Sequence, residues 1–254
     1  PRGRRTAHDF VFNCWGGKYQ DYQLDDAVPT RLAETLGWQL RQHGLVLEGG
    51  AVESDGQGTA LLDEACLSNP NRGGRGRDDW SKLFAELFGI EYIIWLPAAM
   101  RGDDTDGHID NLARFITPGP TPIVAAPRAK PDHPDHDALE QNWSALRQAR
   151  TAQGHALELL ELPTPDPRYY QIPPDSFNPT GEDVLLPLSH ANFLMAGGAV
   201  FVPAFGSPTD DVACRRLEDA LPGWAIVPVL SDVLCVGLGG VHCLTMQQPR
   251  EQPA

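Results

Sequence analysis

The 254-residue sequence has no run of about 18 apolar residues, so no helical membrane span is expected. Its five cysteines, at 14, 66, 214, 235 and 243, are odd in number, scattered and without a Cys-x-x-Cys pair. That pattern makes a poor disulfide framework and a poor zinc site, and it suits a reducing cytoplasm. Basic residues are scarce: 20 Lys+Arg stand against 34 Asp+Glu, for a formal charge of −14. This balance argues against a nucleic-acid partner and suits a cationic small molecule. No Gly-x-Gly-x-x-Gly opens a helix, so a Rossmann-type sheet lacks its signature. The basic opening, Pro1-Arg2-Gly3-Arg4-Arg5, is followed by no apolar stretch and is not read as a signal peptide. With no initiator methionine, the chain reads as cut from something longer.

What remains is a chain of 41% hydrophobic residues and mean hydropathy −0.31, long enough to bury a sizeable core. Helical periodicity is clearest at Trp80, Leu83, Phe84, Leu87 and Phe88, with Gly89 as a stop. Pro29 opens a shorter helix closed by Gly37, and two more are expected over 138–153 and 210–221. Strands are expected at 10–15, 45–48, 92–96, 108–116, 156–162 and 224–229. Hairpins are expected over Asp55-Gly56 and over Gly197-Gly198, the latter joining 190–195 to 199–202. Two Pro-rich stretches, 118–137 and 163–187, read as loops, and Val233 to Thr245 reads as opening a further unit. The order strand or hairpin, helix, strand thus recurs at irregular spacing, which suggests modules arrayed about an axis. Glu48, His108, His190 or Asn192, and Cys243 all fall near the start of a repeat, where radial modules would converge.

Cys243 follows the glycine-rich stretch Gly237-Leu238-Gly239-Gly240 and is expected on a short strand beside His242. A cysteine is the strongest neutral-pH nucleophile among side chains when a base or cation holds it as thiolate. His108 and Asp110, two apart on an expected strand, would face the same way as a base and a substrate anchor. The carboxylates of Asp103, Asp104, Asp106 and Asp110 with His108 leave a divalent-ion reading open, although the spacing is neither EF-hand nor His-Glu-x-x-His. No metal and no cofactor is expected. Asn192 is read either as facing the site or as capping a hairpin, and Trp15 either as a pocket wall or as a buried strand end. Cys14, Cys66, Cys214 and Cys235 are read as packing residues, and His133 and His136 as solvated.

Trp15-Gly16-Gly17, Leu47-Glu48-Gly49-Gly50, Asn69-Pro70-Asn71-Arg72, Gly102-Asp103-Asp104-Thr105-Asp106-Gly107-His108-Ile109-Asp110 and Gly-Gly-Val-His-Cys-Leu-Thr ending at Thr245 together resemble agmatine deiminase and its bacterial peptidylarginine deiminase relatives. The resemblance covers essentially the whole chain in order. It implies an α/β fold of the pentein type, a propeller of repeated ββαβ modules, here a single partial catalytic domain over 1–254. It also implies a cysteine-dependent hydrolysis of a guanidinium group, agmatine giving N-carbamoylputrescine and ammonia for polyamine and putrescine synthesis. Peptidyl or free arginine is the alternative substrate, and a non-catalytic binding relative the alternative class. By resemblance Cys243 is the nucleophile, His108 the general acid/base, Glu48 the glutamate that orients the histidine and Asp110 a carboxylate that grips the guanidinium. The family's Arg-Asp-x-Gly-Pro stretch has no counterpart before Trp15, so about one module is expected to be missing at the N-terminus. The implied partner is a small cationic guanidino substrate in the cytoplasm, with neither nucleic acid nor membrane, and the resemblance suggests homo-oligomers.

Overall fold

The computed structural model describes residues 5–117, 121–171 and 181–248. Strands β1 (Thr6–Val11) and β2 (Gln39–Val46) pair in parallel, with the helix Val28–Leu36 between them in sequence. Three fuller units follow. In the first, β3 (Val52–Ser54) and β4 (Thr59–Asp63) form a hairpin, the helix Arg77–Phe88 crosses, and β5 (Tyr92–Leu96) returns parallel to β4. The second has β6 (Arg114–Thr117) antiparallel to β7 (Ile123–Arg128), the helix His136–Gln148, and β8 (Glu158–Pro163) parallel to β7. A small hairpin, β9 (Tyr169–Gln171) with β10 (Asp183–Leu185), precedes the third unit. There β11 (Leu194–Ala196) and β12 (Ala199–Ala204) form the hairpin, and the helix Pro208–Ala220 leads to β13 (Ala225–Leu230) beside β12. The repeat expected from sequence is therefore a ββαβ repeat.

Successive units share cores, and the two-residue period of a strand explains how. On β4, Leu61 packs with Ile94, Ile109, Leu112 and Leu139, whereas its neighbour Leu62 packs with Ala51, Trp80 and Phe84. On β7, Val124 joins the first of these cores and Ala125 faces Phe193, Val202 and Leu217. Strands β4 and β7 are thus covered on both faces, which is why β4 reads Thr-Ala-Leu-Leu-Asp with every residue buried rather than alternating. Each unit's helix also packs on the unit before it. His136–Gln148 lies against β5, Pro208–Ala220 against β8, and Phe88 of Arg77–Phe88 meets the rings of His8 and Phe10 on β1. The helix Arg77–Phe88 stops at Gly89, whose φ of +66° is a left-handed cap that a side chain would strain. Trp80 is fully buried and donates its indole N–H to the Leu67 carbonyl at 3.0 Å.

Several expected boundaries move. The stretch 118–137 is not a loop throughout, because it contains β7, the central strand of its sheet. Its prolines masked the apolar run Ile123-Val124-Ala125-Ala126, and Pro127 sits near the strand end, where one missing N–H is tolerated. The second Pro-rich stretch contains β9 and β10, and its residues 172–180 lie outside the described residues. The strand expected at 10–15 is Thr6–Val11, followed by a tight turn with Trp15 at φ +52°. The strand expected at 45–48 begins at Gln39, and the helix expected over 138–153 is His136–Gln148. The strand expected from His108 begins only at Arg114. Cys243 is not on a strand: Leu234–Gly237 and His242–Leu244 are single 3-10 turns. His133 and His136 are half-buried rather than solvated; Nδ1 of His133 accepts from the Asp135 amide at 3.0 Å, and Nδ1 of His136 lies 2.9 Å from the Ala129 carbonyl oxygen. No described helix is long and apolar enough to cross a membrane.

Candidate active site

Glu48 precedes β3, the turn 108–111 precedes β6, and the turn 189–192 precedes β11. The segments that open the three units therefore supply the polar side chains, and the C-terminal turn adds His242 and Cys243. His108 and Asp110 do not sit on a strand; a 3-10 turn, Ile109–Asn111, begins immediately after His108. That turn is held by Asp103, whose carboxylate accepts from the backbone N–H of Thr105 at 3.0 Å and of His108 at 3.2 Å, and from Asn111 Nδ2 at 3.2 Å. With these N–H groups taken by a side chain, no ladder can extend through His108.

Asp110 is almost wholly buried at 1% exposure. Its Oδ2 lies 2.8 Å from His242 Nδ1 and 3.5 Å from the sulfur of Cys243, while its Oδ1 is buried without a partner. Burial by itself would raise this acid's pKa. The His242 hydrogen bond, aided by His108, His242 and Arg114, outweighs burial and holds the carboxyl below its ordinary range. His242 is held on its other side as well, with Nε2 2.6 Å from the Gln247 side-chain amide, so that Nδ1 faces Asp110.

Asn192 builds the thiol's seat. Its Nδ2 donates to Asn111 Oδ1 at 2.9 Å and to Cys243 Sγ at 3.0 Å. Its Oδ1 accepts the backbone N–H groups of His242 at 2.8 Å and Cys243 at 3.3 Å. A Cβ on Gly240 would stand 2.4 Å from that Oδ1, so the close approach requires glycine. Cys243 is an exposed residue overall, open to an incoming molecule, yet its sulfur is tucked against Asn192 and Asp110. Withdrawal of the sulfur from water, then the charge of Asp110, push the thiol pKa well up, against the pull of the Gly240 backbone and the Asn192 amide. A cation arriving beside Asp110 reverses that balance and favours the thiolate.

Gly50 joins the two halves of the site. A Cβ there would lie 2.5 Å from His108 Nδ1 and 3.2 Å from Asp110 Oδ2, so imidazole and carboxylate both border this one backbone position. The other ring nitrogen, Nε2, faces Glu48 Oε2 at 4.0 Å, and both atoms are buried without partners. Glu48 is positioned through its Oε1 by Arg72, whose Nε and Nη2 each approach to 3.0 Å. The Arg72 guanidinium is completely buried and also reaches the Thr105 carbonyl at 2.9 Å and the Asp106 carboxylate. Lys18 pairs with Asp106 at 2.7 Å, and the Tyr19 hydroxyl donates to Asp104 at 2.8 Å. Asp103, Asp104 and Asp106 are therefore engaged in holding the loop and its partners Arg72, Lys18 and Tyr19.

Of the residues singled out from sequence, Cys243, Asp110 and Asn192 make direct contacts, and His108 and Glu48 face one another behind Gly50. Trp15 stands edge-on to Phe12 and to Tyr19, whose hydroxyl binds Asp104 of the acidic loop. His190, an alternative to Asn192, is fully buried, with Nδ1 2.8 Å from the Pro203 carbonyl oxygen and Nε2 3.1 Å from the Thr209 hydroxyl. Sequence reasoning assigned no part to Arg72, Asn111 or His242. Arg72 and His242 lie inside quoted motifs, but nothing local distinguishes a buried arginine or a buried second histidine from a solvated one.

The sequence matches the family described as Porphyromonas-type peptidyl-arginine deiminase over residues 2–249. It is 34% identical over 254 residues to the agmatine deiminase of Stutzerimonas stutzeri, covering 95% of this chain and 68% of that protein. Among solved structures, a substrate-bound agmatine deiminase variant from C. jejuni superposes with a TM-score of 0.82 at 32% identity, covering 95% of this chain and 68% of that one. The agmatine deiminase of Enterococcus faecalis superposes with a TM-score of 0.87 at 28% identity, over 96% of this chain and 70% of that one.

Proposed function

The chain belongs to the Porphyromonas-type peptidyl-arginine deiminase family and has its pentein α/β fold, and from that premise we propose that it hydrolyses the guanidinium group of agmatine to N-carbamoylputrescine and ammonia. The observation that carries this reading is the cluster at Gly50 and Asn192: a reachable sulfur 3.5 Å from a buried carboxylate that has one oxygen unpartnered, with an imidazole on the same backbone position. Asp110 offers Oδ1 to the planar cation, whose N–H groups suit a carboxylate. Binding places positive charge beside Cys243, and the thiol passes its proton to His108, which becomes the imidazolium. The sulfur then bonds to the guanidinium carbon, and a C–N bond breaks as His108 delivers a proton to the departing ammonia. An S-alkylthiouronium remains on Cys243. His108 next takes a proton from water, the hydroxyl adds to the same carbon, and the C–S bond breaks to release the substituted urea and the free thiol. The net change is addition of one water and loss of one ammonia. Glu48, held by Arg72, orients His108 and stabilises its imidazolium.

Ammonia release from agmatine, arginine and a blocked arginine peptide tests both the reaction and its substrate. The expected outcome is turnover of agmatine, abolished by Cys243→Ser and by His108→Ala. Retained turnover in either variant removes the mechanism. The description of the matching family favours a second substrate reading, a peptidyl arginine, and preferential turnover of the blocked peptide would establish it. We further assign 1–254 to one catalytic domain acting in the cytoplasm of its cell, as a homo-oligomer, on this small guanidino substrate. A polyamine or putrescine biosynthetic role follows from the product.

A further inference from the structure

Beside His108 and Glu48 stands a cysteine that the proposed reaction does not use. Cys66 is fully buried on the short helix Glu64–Leu67, whose N-cap Asp63 accepts the Cys66 backbone N–H at 2.9 Å and so fixes the position of the residue. We propose that Glu48, Cys66 and His108 form a binding site for a divalent cation of the zinc class, and that filling it switches the enzyme off.

Three observations meet here. One carboxylate oxygen, one sulfur and one imidazole nitrogen lie within 4.8 Å of one another, and all three residues are buried. Two of these donors have buried atoms with no partner: Glu48 Oε2 and His108 Nε2, on side chains only 4% and 6% exposed. Glu48 already meets its structural demand through Oε1, which holds Arg72, so Oε2 is free to ligate without breaking that pair. Around zinc, bonds of about 2.0–2.3 Å put neighbouring donors roughly 3.3–3.8 Å apart. The present 4.0 Å between Glu48 Oε2 and His108 Nε2 closes to that range by a small side-chain adjustment. Mixed sulfur, nitrogen and oxygen donors select zinc and its borderline-soft neighbours over calcium or magnesium, which need a larger set of oxygens. As the metal–sulfur bond forms, the thiol proton leaves for solvent. Burial, then the Glu48 charge, push that thiol's pKa well up, and the cation offsets both. A metal on Nε2 pins the remaining imidazole proton on Nδ1, so His108 can no longer become the imidazolium that the deimination step requires. Inhibition therefore rests on the proposed function, whereas the binding site does not.

Cobalt(II) titration of the folded chain tests the site directly. At one equivalent the expected result is a near-ultraviolet thiolate-to-cobalt charge-transfer band with visible d–d bands, both displaced by zinc. The bands should vanish in Cys66→Ala and persist in Cys243→Ala. No charge-transfer band in the wild-type chain overturns the proposal. So does a band that survives Cys66→Ala but disappears in Cys243→Ala, which would place the metal on the exposed thiol. Far-ultraviolet circular dichroism checks that Cys66→Ala is folded; if it is not, Glu48→Gln takes its place, and an undiminished affinity for cobalt there refutes the site. In turnover assays, one equivalent of zinc should inhibit wild type reversibly to chelator, with Cys66→Ala at least tenfold less sensitive. A cobalt band without agmatine turnover would sink the functional reading and leave the site standing. Turnover without a band would do the reverse.

Discussion

Asn192 is the residue whose removal says most about how the thiol is held. In Asn192→Ala, Cys243 Sγ loses its 3.0 Å donor, Asn111 Oδ1 loses a 2.9 Å donor, and the N–H groups of His242 and Cys243 lose the acceptor at 2.8 and 3.3 Å. The His242 N–H keeps the Asn192 backbone carbonyl at 3.1 Å, so it is not orphaned. The Asn111 oxygen and the Cys243 N–H lose these partners, and a buried unsatisfied group costs about 1–3 kcal/mol. With Asn111 buried and Cys243 exposed, stability should fall by about 1–3 kcal/mol on that count, enough to lower Tm by several degrees in a chain of this size. Activity should fall further, because the turn carrying the nucleophile is no longer fixed, and a displacement of about 1 Å is worth about 10²-fold in rate. The amide also favours the thiolate, so its loss raises the thiol pKa and moves the limb of the pH profile that reports thiol ionisation to higher pH. Steady-state kinetics of agmatine deimination across pH, with a thermal melt, reads all three effects. A variant with lowered Tm but unchanged kcat/KM and an unmoved profile would refute the seat-building role and leave Asn192 as a packing residue.

Two other outcomes follow from single distances or charges. Gly50→Ala should abolish turnover with little loss of secondary structure, since its Cβ would meet His108 Nδ1 at 2.5 Å and push the imidazole from the shared position; full activity with an intact circular dichroism spectrum would contradict the geometry. Burial raises the Asp63 pKa to about 7 from an ordinary 3.8. The unfolded chain therefore ionises first, and this group's contribution to stability is present below about pH 4 and falls as pH rises to about 7, by on the order of 4 kcal/mol. Asp63→Asn keeps an oxygen for the Cys66 N–H and should unfold later than wild type in denaturant at pH 8 but not at pH 4; parallel curves at both pH values would count against the buried acid.

The repeat was legible because each unit carries its own signals. Gly89 follows a helical face of Trp80 and Phe84, Asp55-Gly56 joins β3 to β4, and Gly197-Gly198 joins β11 to β12. Strand β7 was not legible, since prolines at 118, 120, 122 and 127 outweigh four apolar residues in any local reading. The placement of Cys243 on a strand failed for a different reason. A run such as Val241-His242-Cys243-Leu244 is compatible with a ladder, but Asn192, some fifty positions earlier, takes the N–H groups that a ladder would need. Secondary structure at this point is set by a side chain from another unit.

The same distance in sequence separates the readable from the unreadable part of the site. Cysteine, histidine and carboxylate can be picked out one by one because their chemistry is intrinsic to the residue. What Glu48 contributes is not intrinsic. It is a carboxylate with one oxygen committed to a buried guanidinium and the other facing an imidazole, and that division of labour exists only once Arg72 is folded beneath it. Because Arg72 also binds Asp106 and the Thr105 carbonyl, the loop that delivers His108 and the segment that delivers Glu48 are fixed by one cation. Asp110 shows the converse case. Its partner His242 adjoins the cysteine in sequence, yet the pairing spans 132 positions and decides which face of the carboxylate is left for a ligand. Residues of this kind carry no local signature because their role is to make two distant segments agree on one geometry, and an arginine or a histidine serves only where burial has removed water as a competing partner.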